Sequence, residues 1–271
     1  MGARLNQLVL NLRRNLPPDP SRSSRLERLL RRAARLAGWL RADLNLLAAL
    51  YGTDKYGEHD YTPVYQALMR PWRGKPVRLL EIGVGGYAGA LGGESLRRWE
   101  SYFPRGRIYG IDLYDKTALS GGRVKVFQCS QVDAPKLTAL AQELGPFDFI
   151  IDDGSHLNAH QIETFGILWP QLKDGGTYIV EDVQTSYWPA YGGGPVGTEG
   201  YRKSCMQWFK DYADSVNLPE FLQPAPGAHD PALGSIAFHH NLIVLKKDLA
   251  ARYSNANLDL PEARSRLMLP G

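Results

Sequence analysis

From Val77 onward the sequence predicts a doubly wound α/β fold with a mostly parallel sheet, and three observations point to it. Short apolar runs of strand length alternate with amphipathic stretches of helix length. The first run opens into the glycine-rich turn Glu81-Ile82-Gly83-Val84-Gly85-Gly86. Two later runs end in carboxylates, at Asp152-Asp153 and Glu181-Asp182, the end of a parallel strand where open α/β sheets bind ligands.

Taken in order, residues 1–20 form an arm closed by Pro17-Pro18-Asp19-Pro20, through which no helix runs. From Ser23 onward Leu26, Leu29, Leu30, Ala33, Ala37, Leu40, Leu44 and Leu47 recur at helical spacing, predicting one amphipathic helix with a leucine stripe to bury. Tyr51 to Pro63 is polar, aromatic and irregular, and reads as a loop with a task. Strands follow at Val77 to Ile82, Arg107 to Leu113, Val124 to Gln128, Phe147 to Ile151 and Gly176 to Glu181. Helices separate them at Glu94 to Tyr102, Ala134 to Glu143 and Ala159 to Leu172. Gly192 to Gly197 reads as a mobile loop, Tyr201 to Ala213 as a helix, and Ile236 to Lys246 as one long, antiparallel late strand. The organisation is thus a basic arm and amphipathic helix over 1–50, a lid or linker over 51–76, the α/β domain over 77–250 and a tail over 251–271.

Composition narrows the class. With 271 residues and 44% hydrophobic content, the chain has room for one well-buried domain and its appendages. Cys129 and Cys205 fit no metal or redox spacing and read as reduced thiols, and no apolar run nears the roughly 20 residues of a membrane span, so a cytoplasmic protein is expected. The net charge of +4 is local: Arg25, Arg28, Arg31, Arg32 and Arg35 crowd the first helix. That stretch lacks the interleaved aromatics of a stacking platform, so nucleic acid is not the expected partner. Its leucine stripe suits packing on the domain or a subunit contact, and a homo-oligomer is expected.

Glycine at the strand end lets backbone N–H groups approach a polar ligand. Gly83-Val84-Gly85-Gly86-Tyr87-Ala88 also satisfies a dinucleotide fingerprint, which leaves a nicotinamide cofactor open. Glu81, two residues before the first glycine, favours S-adenosylmethionine and would face its methionine end. Asp112 ends the next strand where a carboxylate accepts ribose hydroxyls. Gln131, after the third strand, is the expected adenine-side contact, with an ordinary loop capped by Asp133 as the alternative. Phe147 to His156 runs from an apolar strand into two carboxylates and a histidine, and Glu181-Asp182 ends the following strand. Carboxylates without nearby cysteine make a hard oxygen site suited to Mg2+ or Mn2+.

With these motifs in hand, Leu50 to Lys247 resembles the metal-dependent sugar O-methyltransferases that modify macrolide deoxysugars, of the mycinamicin and tylosin type, and bacterial glycans. The resemblance rests on Tyr51-Gly52-Thr53-Asp54-Lys55, Tyr61-Thr62-Pro63, Leu80 to Tyr87, Gly92-Gly93-Glu94-Ser95-Leu96, Ile111-Asp112, Ile151 to His156 and Glu181 to Trp188. It implies a Rossmann-like class I methyltransferase fold with an N-terminal helical extension. It further implies Asp153, Glu181 and Asp182 as metal ligands, His156 as catalytic base, and Glu81, Gly83, Gly85, Ser95, Asp112 and Gln131 around S-adenosylmethionine. Tyr61, Tyr187 and Trp188 are candidates for stacking on a sugar ring. The expected reaction is Mg2+-dependent methylation of a sugar hydroxyl on a glycoside, oligosaccharide or polysaccharide precursor. A catechol-type aryl O-methyltransferase and a cofactor-binding module without turnover are the alternatives. The larger macrolide enzymes carry a substantial N-terminal domain where this sequence has only the arginine-rich arm and helix.

Overall fold

The computed structural model describes residues 2–14, 25–40, 42–86, 88–221, 227 and 229–250. Buried apolar residues on alternate strand positions build a seven-stranded sheet from β1 (Arg78–Ile82), β2 (Arg107–Asp112), β3 (Val124–Gln128), β4 (Phe147–Asp152), β5 (Leu172–Glu181), β6 (Leu233–His239) and β7 (Leu242–Lys247). Their order is β3-β2-β1-β4-β5-β7-β6. The first five strands are parallel, while β7 pairs antiparallel with both β5 and β6. The order reverses between β1 and β4, so loops leaving these two neighbours diverge and open a crevice at the carboxyl edge.

Because successive side chains point to opposite faces of a strand, the sheet divides the core. Leu80, Tyr109, Ile150 and Tyr178 pack beneath α6 (Ala134–Leu144), α7 (Asn158–Leu168) and α9 (Cys205–Tyr212). Leu79, Ile108, Phe149 and Ile179 pack beneath α3 (Leu44–Tyr51), α4 (Thr62–Met69) and α5 (Glu94–Tyr102). α8 (Glu199–Arg202) stands apart as a single turn. The mostly parallel sheet with an antiparallel late strand and a helical extension is as expected from the sequence.

Several elements differ from the sequence reading, each for a local reason. Part of the arm is helical, α1 (Gly2–Arg14), while Pro17 to Pro20 and the tail 251–271 lie outside the described residues. The single helix expected from Ser23 to Leu47 is two, α2 (Arg25–Trp39) and α3, because Asp43 starts a new helix by accepting the Leu46 N–H at 2.8 Å. α2 approaches α5 so closely that a Cβ on Gly38 would lie 2.6 Å from the Ser101 carbonyl oxygen. Its stripe divides accordingly: Leu30 is buried and Ala37 half-buried, whereas Leu29, Ala33 and Leu40 are exposed, as is Leu36 outside the stripe. The irregular stretch ends early, at Thr62, where Pro63 in the first turn suits the opening of α4. The helix expected to reach Leu172 leaves α-geometry at Trp169, just before Pro170, and that from Tyr201 breaks where Ser204 caps α9. The long late strand is a hairpin turning at His240 and Asn241, the latter left-handed at φ 57°. Among the described residues no helix is long and apolar enough to cross a membrane, and both cysteines are buried and unbridged.

One buried amide fastens the segment after β5. Asn158 Nδ2 donates to the carbonyls of Thr185 (3.2 Å) and Tyr191 (2.9 Å). Its Oδ1 accepts from the Cys205 N–H (2.7 Å) and the Ser186 hydroxyl (2.9 Å). All four capacities of the amide are used, at 1% exposure. Asn158→Leu would orphan buried backbone groups at roughly 1–3 kcal/mol each. We expect a loss of about 2–4 kcal/mol in urea unfolding, with increased protease cleavage within 183–204.

Candidate functional site

The crevice at the carboxyl edge is a cavity of about 620 Å³, a size suited to a small-molecule ligand. The glycine loop forms one wall. Gly83, at φ +78°, leaves β1 with its N–H donated to the Ile111 carbonyl at 2.9 Å. A Cβ there would lie 2.1 Å from the Asp153 carbonyl oxygen, so only glycine fits between the ends of β1 and β4. Asp112 braces the loop from β2, its Oδ2 accepting the Val84 N–H (3.0 Å) and Oδ1 the Tyr114 N–H (2.9 Å). Each oxygen keeps a further lone pair, and Asp112, Gly83 and Gly85 all line the cavity.

Gln131 also reaches the wall, yet its amide is spent internally. Nε2 donates to Thr164 Oγ1 (3.0 Å) and Asp152 Oδ1 (3.4 Å), and Oε1 accepts the Ser155 N–H (2.7 Å). It therefore fastens the turn after β4 rather than offering its N–H groups to a ring. Glu81 and Ser95 are one layer behind the wall. Glu81 is 1% exposed, and its Oε2 accepts from Trp99 Nε1 at 3.0 Å. Burial pushes its carboxyl up to about 7, against the opposing pull of Arg98 and of a hydrogen bond from Ser95. The sequence expectation that Glu81 faces a ligand is replaced by a buried anchor between β1 and α5.

Opposite the glycine loop, the turns after β4 and β5 bring Asp153, His156 and Asp182 to one wall, with one ligand atom from each within 4.8 Å of the others. His156 and Asp182 hold left-handed backbone, φ 57° and 54°, uncommon for residues with a Cβ and a form of stored strain that clusters at functional sites. His156 Nε2 lies 3.5 Å from Asp182 Oδ2. Burial lowers the His156 imidazole below its ordinary value, only partly offset by Asp182, so the ring is neutral at neutral pH. Burial alone would raise Asp182, but the Tyr61 hydroxyl, His156 and Lys55 outweigh it and hold the carboxyl below the usual range.

Glu181 is withdrawn from the wall and fully buried. Its Oε1 accepts from the Tyr65 hydroxyl, and its Oε2 lies 2.6 Å from Lys55 Nζ. The same ammonium is 2.7 Å from Asp153 Oδ2. Burial would lower Lys55, but Asp153 and Glu181 overcome it and keep the ammonium charged. Tyr61 is buried too, donating to Asp182 Oδ1 at 2.7 Å, so it positions a carboxylate instead of stacking on a ligand. Tyr187 turns away to stack on Tyr201, ring centroids 5.7 Å apart. Trp188, 47% exposed, does line the cavity.

Sequence reasoning missed Lys55, His59, Tyr65 and Asn158. Lys55 and His59 belong to the stretch read as a loop with a task, but nothing local marks which carboxylate each would meet. His59 reaches Asp182 Oδ1 from 3.3 Å and stacks on Tyr61.

No protein-family model matches the chain. A tetracenomycin-pathway rhamnosyl 3'-O-methyltransferase of Streptomyces olivaceus is 42% identical over 210 residues, covering 76% of this chain and 54% of that protein. The mycinamicin VI 2''-O-methyltransferase of Micromonospora griseorubida is 40% identical over 214 residues, covering 78% and 54%. A mycinamycin-pathway methyltransferase solved in complex with Mg, SAH and mycinamycin VI superposes with TM-score 0.76 at 37% identity, over 84% of this chain and 59% of that one. The fold is therefore that of the class I methyltransferases. Within that class the matched region belongs to the family of the sugar O-methyltransferases of macrolide and tetracenomycin pathways. The chain spans about half the length of these curated relatives.

The buried Glu81 carboxyl gives a stability signature. Its folded value, about 7, exceeds the ordinary 4.5, so the folded state holds the proton more tightly. Stability is full below pH 4.5 and is lost as pH rises through about 7, by roughly 3 kcal/mol for this group. Glu81→Gln is expected to narrow the difference in melting temperature between pH 5 and pH 8, and an unchanged difference would refute this account.

Proposed function

We propose that the chain is an S-adenosylmethionine-dependent, Mg2+-dependent O-methyltransferase acting on a sugar hydroxyl of a glycosylated small molecule. The observation that carries this reading is the meeting, in one cavity, of the glycine loop and Asp112 with the Asp153, His156 and Asp182 cluster. The names of the relatives support it, since they transfer methyl groups to deoxysugars, and one was solved with Mg and SAH.

In this proposal Gly83 and Gly85 leave room for the cofactor and Asp112 offers lone pairs to its ribose. Asp153, Glu181 and Asp182 would hold the cation, and their hard oxygens fit Mg2+, with Mn2+ as the substitute. Bound Mg2+ supplies charge stabilisation to a hydroxyl that is losing its proton. His156, neutral and on the cavity wall, takes that proton. Trp188 gives an apolar ring face toward the acceptor, and the 183–191 turn, tied to Asn158, keeps water from the sulfonium. We further assign residues 51–61 as a lid over the 77–250 catalytic unit, the cytoplasm as its site of action, and self-association through the exposed Leu29, Leu36 and Leu40 face.

Methyl transfer from labelled cofactor to a panel of rhamnosides, macrolide glycosides and catechols tests the proposal. Turnover restricted to catechols would overturn the sugar assignment. EDTA is expected to abolish transfer and MgCl2 to restore it, and Asp153→Asn to lower kcat by more than about 100-fold. Full activity in EDTA would remove the metal from the scheme.

The acid limb of the rate profile follows from His156. A base works only while deprotonated, and this ring is held below the ordinary 6.5. The limb should therefore fall below pH 6.5 and disappear in His156→Ala, together with roughly 100- to 10,000-fold of kcat. A limb above pH 7 would assign the base elsewhere.

A further inference from the structure

We propose that Lys55 competes with the divalent cation for Asp153 and Glu181, so that metal loading displaces its ammonium and loosens the 52–61 segment from the carboxyl edge of the sheet. This rests on the assignment of Asp153, Glu181 and Asp182 as the ligand set.

Lys55 Nζ lies 2.7 Å from Asp153 Oδ2 and 2.6 Å from Glu181 Oε2, at 3% exposure. The two oxygens converge on one point, and the ammonium holds it. A Mg2+ ion bridging those two oxygens needs them at about 2.0–2.1 Å. A cation drawn to the same two oxygens would stand close to Nζ, so the two positive charges repel one another at low dielectric. Either occupant answers the same demand, because two buried carboxylates facing one another without a cation would carry a large desolvation cost.

The displaced ammonium has a place to go. Asp54 Oδ1 is already 3.6 Å away, on a residue that is half exposed and lines the cavity. The carboxylates keep other holders: Glu181 Oε1 retains the Tyr65 hydroxyl, and Asp182 retains that of Tyr61. What loses its anchor is the turn bearing Lys55. The Lys55 carbonyl accepts the N–H groups of Tyr61 (3.0 Å) and Thr62 (3.2 Å), and the Asp54 carbonyl accepts that of His59 (3.1 Å). Residues 53–60 have no helix or strand of their own, so movement of Lys55 passes directly to the backbone of the lid. Metal binding and lid order are then linked, and by reciprocity a lid held closed through Lys55 weakens metal binding.

The test measures MgCl2 binding to the full chain by isothermal titration calorimetry, in wild type and in Lys55→Met, which keeps the length of the side chain and removes its charge. Competition predicts at least a tenfold tighter Mg2+ dissociation constant in Lys55→Met. It also predicts a melting temperature that is lower than wild type without metal and rises more on adding it. Unchanged or weaker binding would overturn the proposal. Should Lys55→Met not fold without metal, hydrogen exchange on the wild type decides. Faster exchange within 52–61 on adding Mg2+ supports displacement, and slower or unchanged exchange overturns it. Asp153→Asn and Glu181→Gln separate this from the assignment beneath it. If neither alters Mg2+ binding, the ligand set is wrong and the proposal falls with it. If both weaken binding while Lys55→Met leaves it unchanged, only the competition fails.

Discussion

β1 and β4 pair in parallel with Ile82 opposite Asp152, and the residues that follow, Gly83 and Asp153, are driven against one another at the carboxyl edge. The Asp153 N–H returns to the Ile82 carbonyl at 2.9 Å, and the missing Gly83 side chain leaves room for the Asp153 carbonyl. Both loops take their position from this contact. If Gly83 carried a Cβ, one backbone would have to move, and the glycine loop would part from the carboxylate turn. The proximity of the glycine loop and the Asp153, His156 and Asp182 cluster thus rests on a backbone approach inside the sheet edge. It does not rest on the flexible segments above it.

Behind that contact lies an unusual density of buried charge. Glu81, Asp153 and Glu181 face Lys55 and Arg98, with aromatic rings closing the interior side. Low dielectric makes such a set costly unless every charge has a partner, and it favours breaking no pair alone. The Tyr65 hydroxyl at Glu181 and the Trp99 indole at Glu81 answer part of this demand, and the Tyr61 hydroxyl does the same for neighbouring Asp182. The turn with Lys55, α4 with Tyr65, β1 with Glu81 and α5 with Trp99 and Arg98 therefore serve the site electrostatically as well as by packing. A hydrophobic replacement of one member leaves its partner buried and uncompensated, which is why single substitutions here act on stability and site geometry together.

Much of this was legible in the sequence wherever the signal is local. Strand ends show as apolar runs that stop in Gly83, Asp112, Asp153 or Glu181, because the sheet edge is where burial gives way to solvent. The hairpin between β6 and β7 was hidden because His239-His240-Asn241 interrupts the apolar run by only three residues, and Asn241 supplies the left-handed turn without a glycine. Side-chain destinations were the harder part. Lys55 meets a carboxylate 98 residues away, and Tyr61 meets one 121 residues away. Nothing within a helical or strand period records such a pairing. Glu81, inside β1, is buried against Trp99, and Gln131 lines the cavity with its amide bonded to the Asp152 to Ser155 turn; the sequence around neither residue marks these partners.

The division of labour across the fold also bears on how such a site changes its acceptor. Between Asp153 and Asn158, six residues contribute a carboxylate, the histidine and the amide that ties down the turn after β5. That short stretch is constrained from both ends, by β4 pairing and by α7, so substitutions within it disturb the chemistry before they alter selectivity. The aromatic wall is different: Trp188 and Tyr191 stand on a turn held through its backbone and through Ser186, and their own side chains meet each other with ring centroids 5.9 Å apart. Asp54 and His59 form the facing rim on a segment without regular structure. Under the proposed function, acceptor preference diverges at the rim and the aromatic wall, while the strand-end residues, held by sheet pairing and hydrogen bonds, keep the reaction.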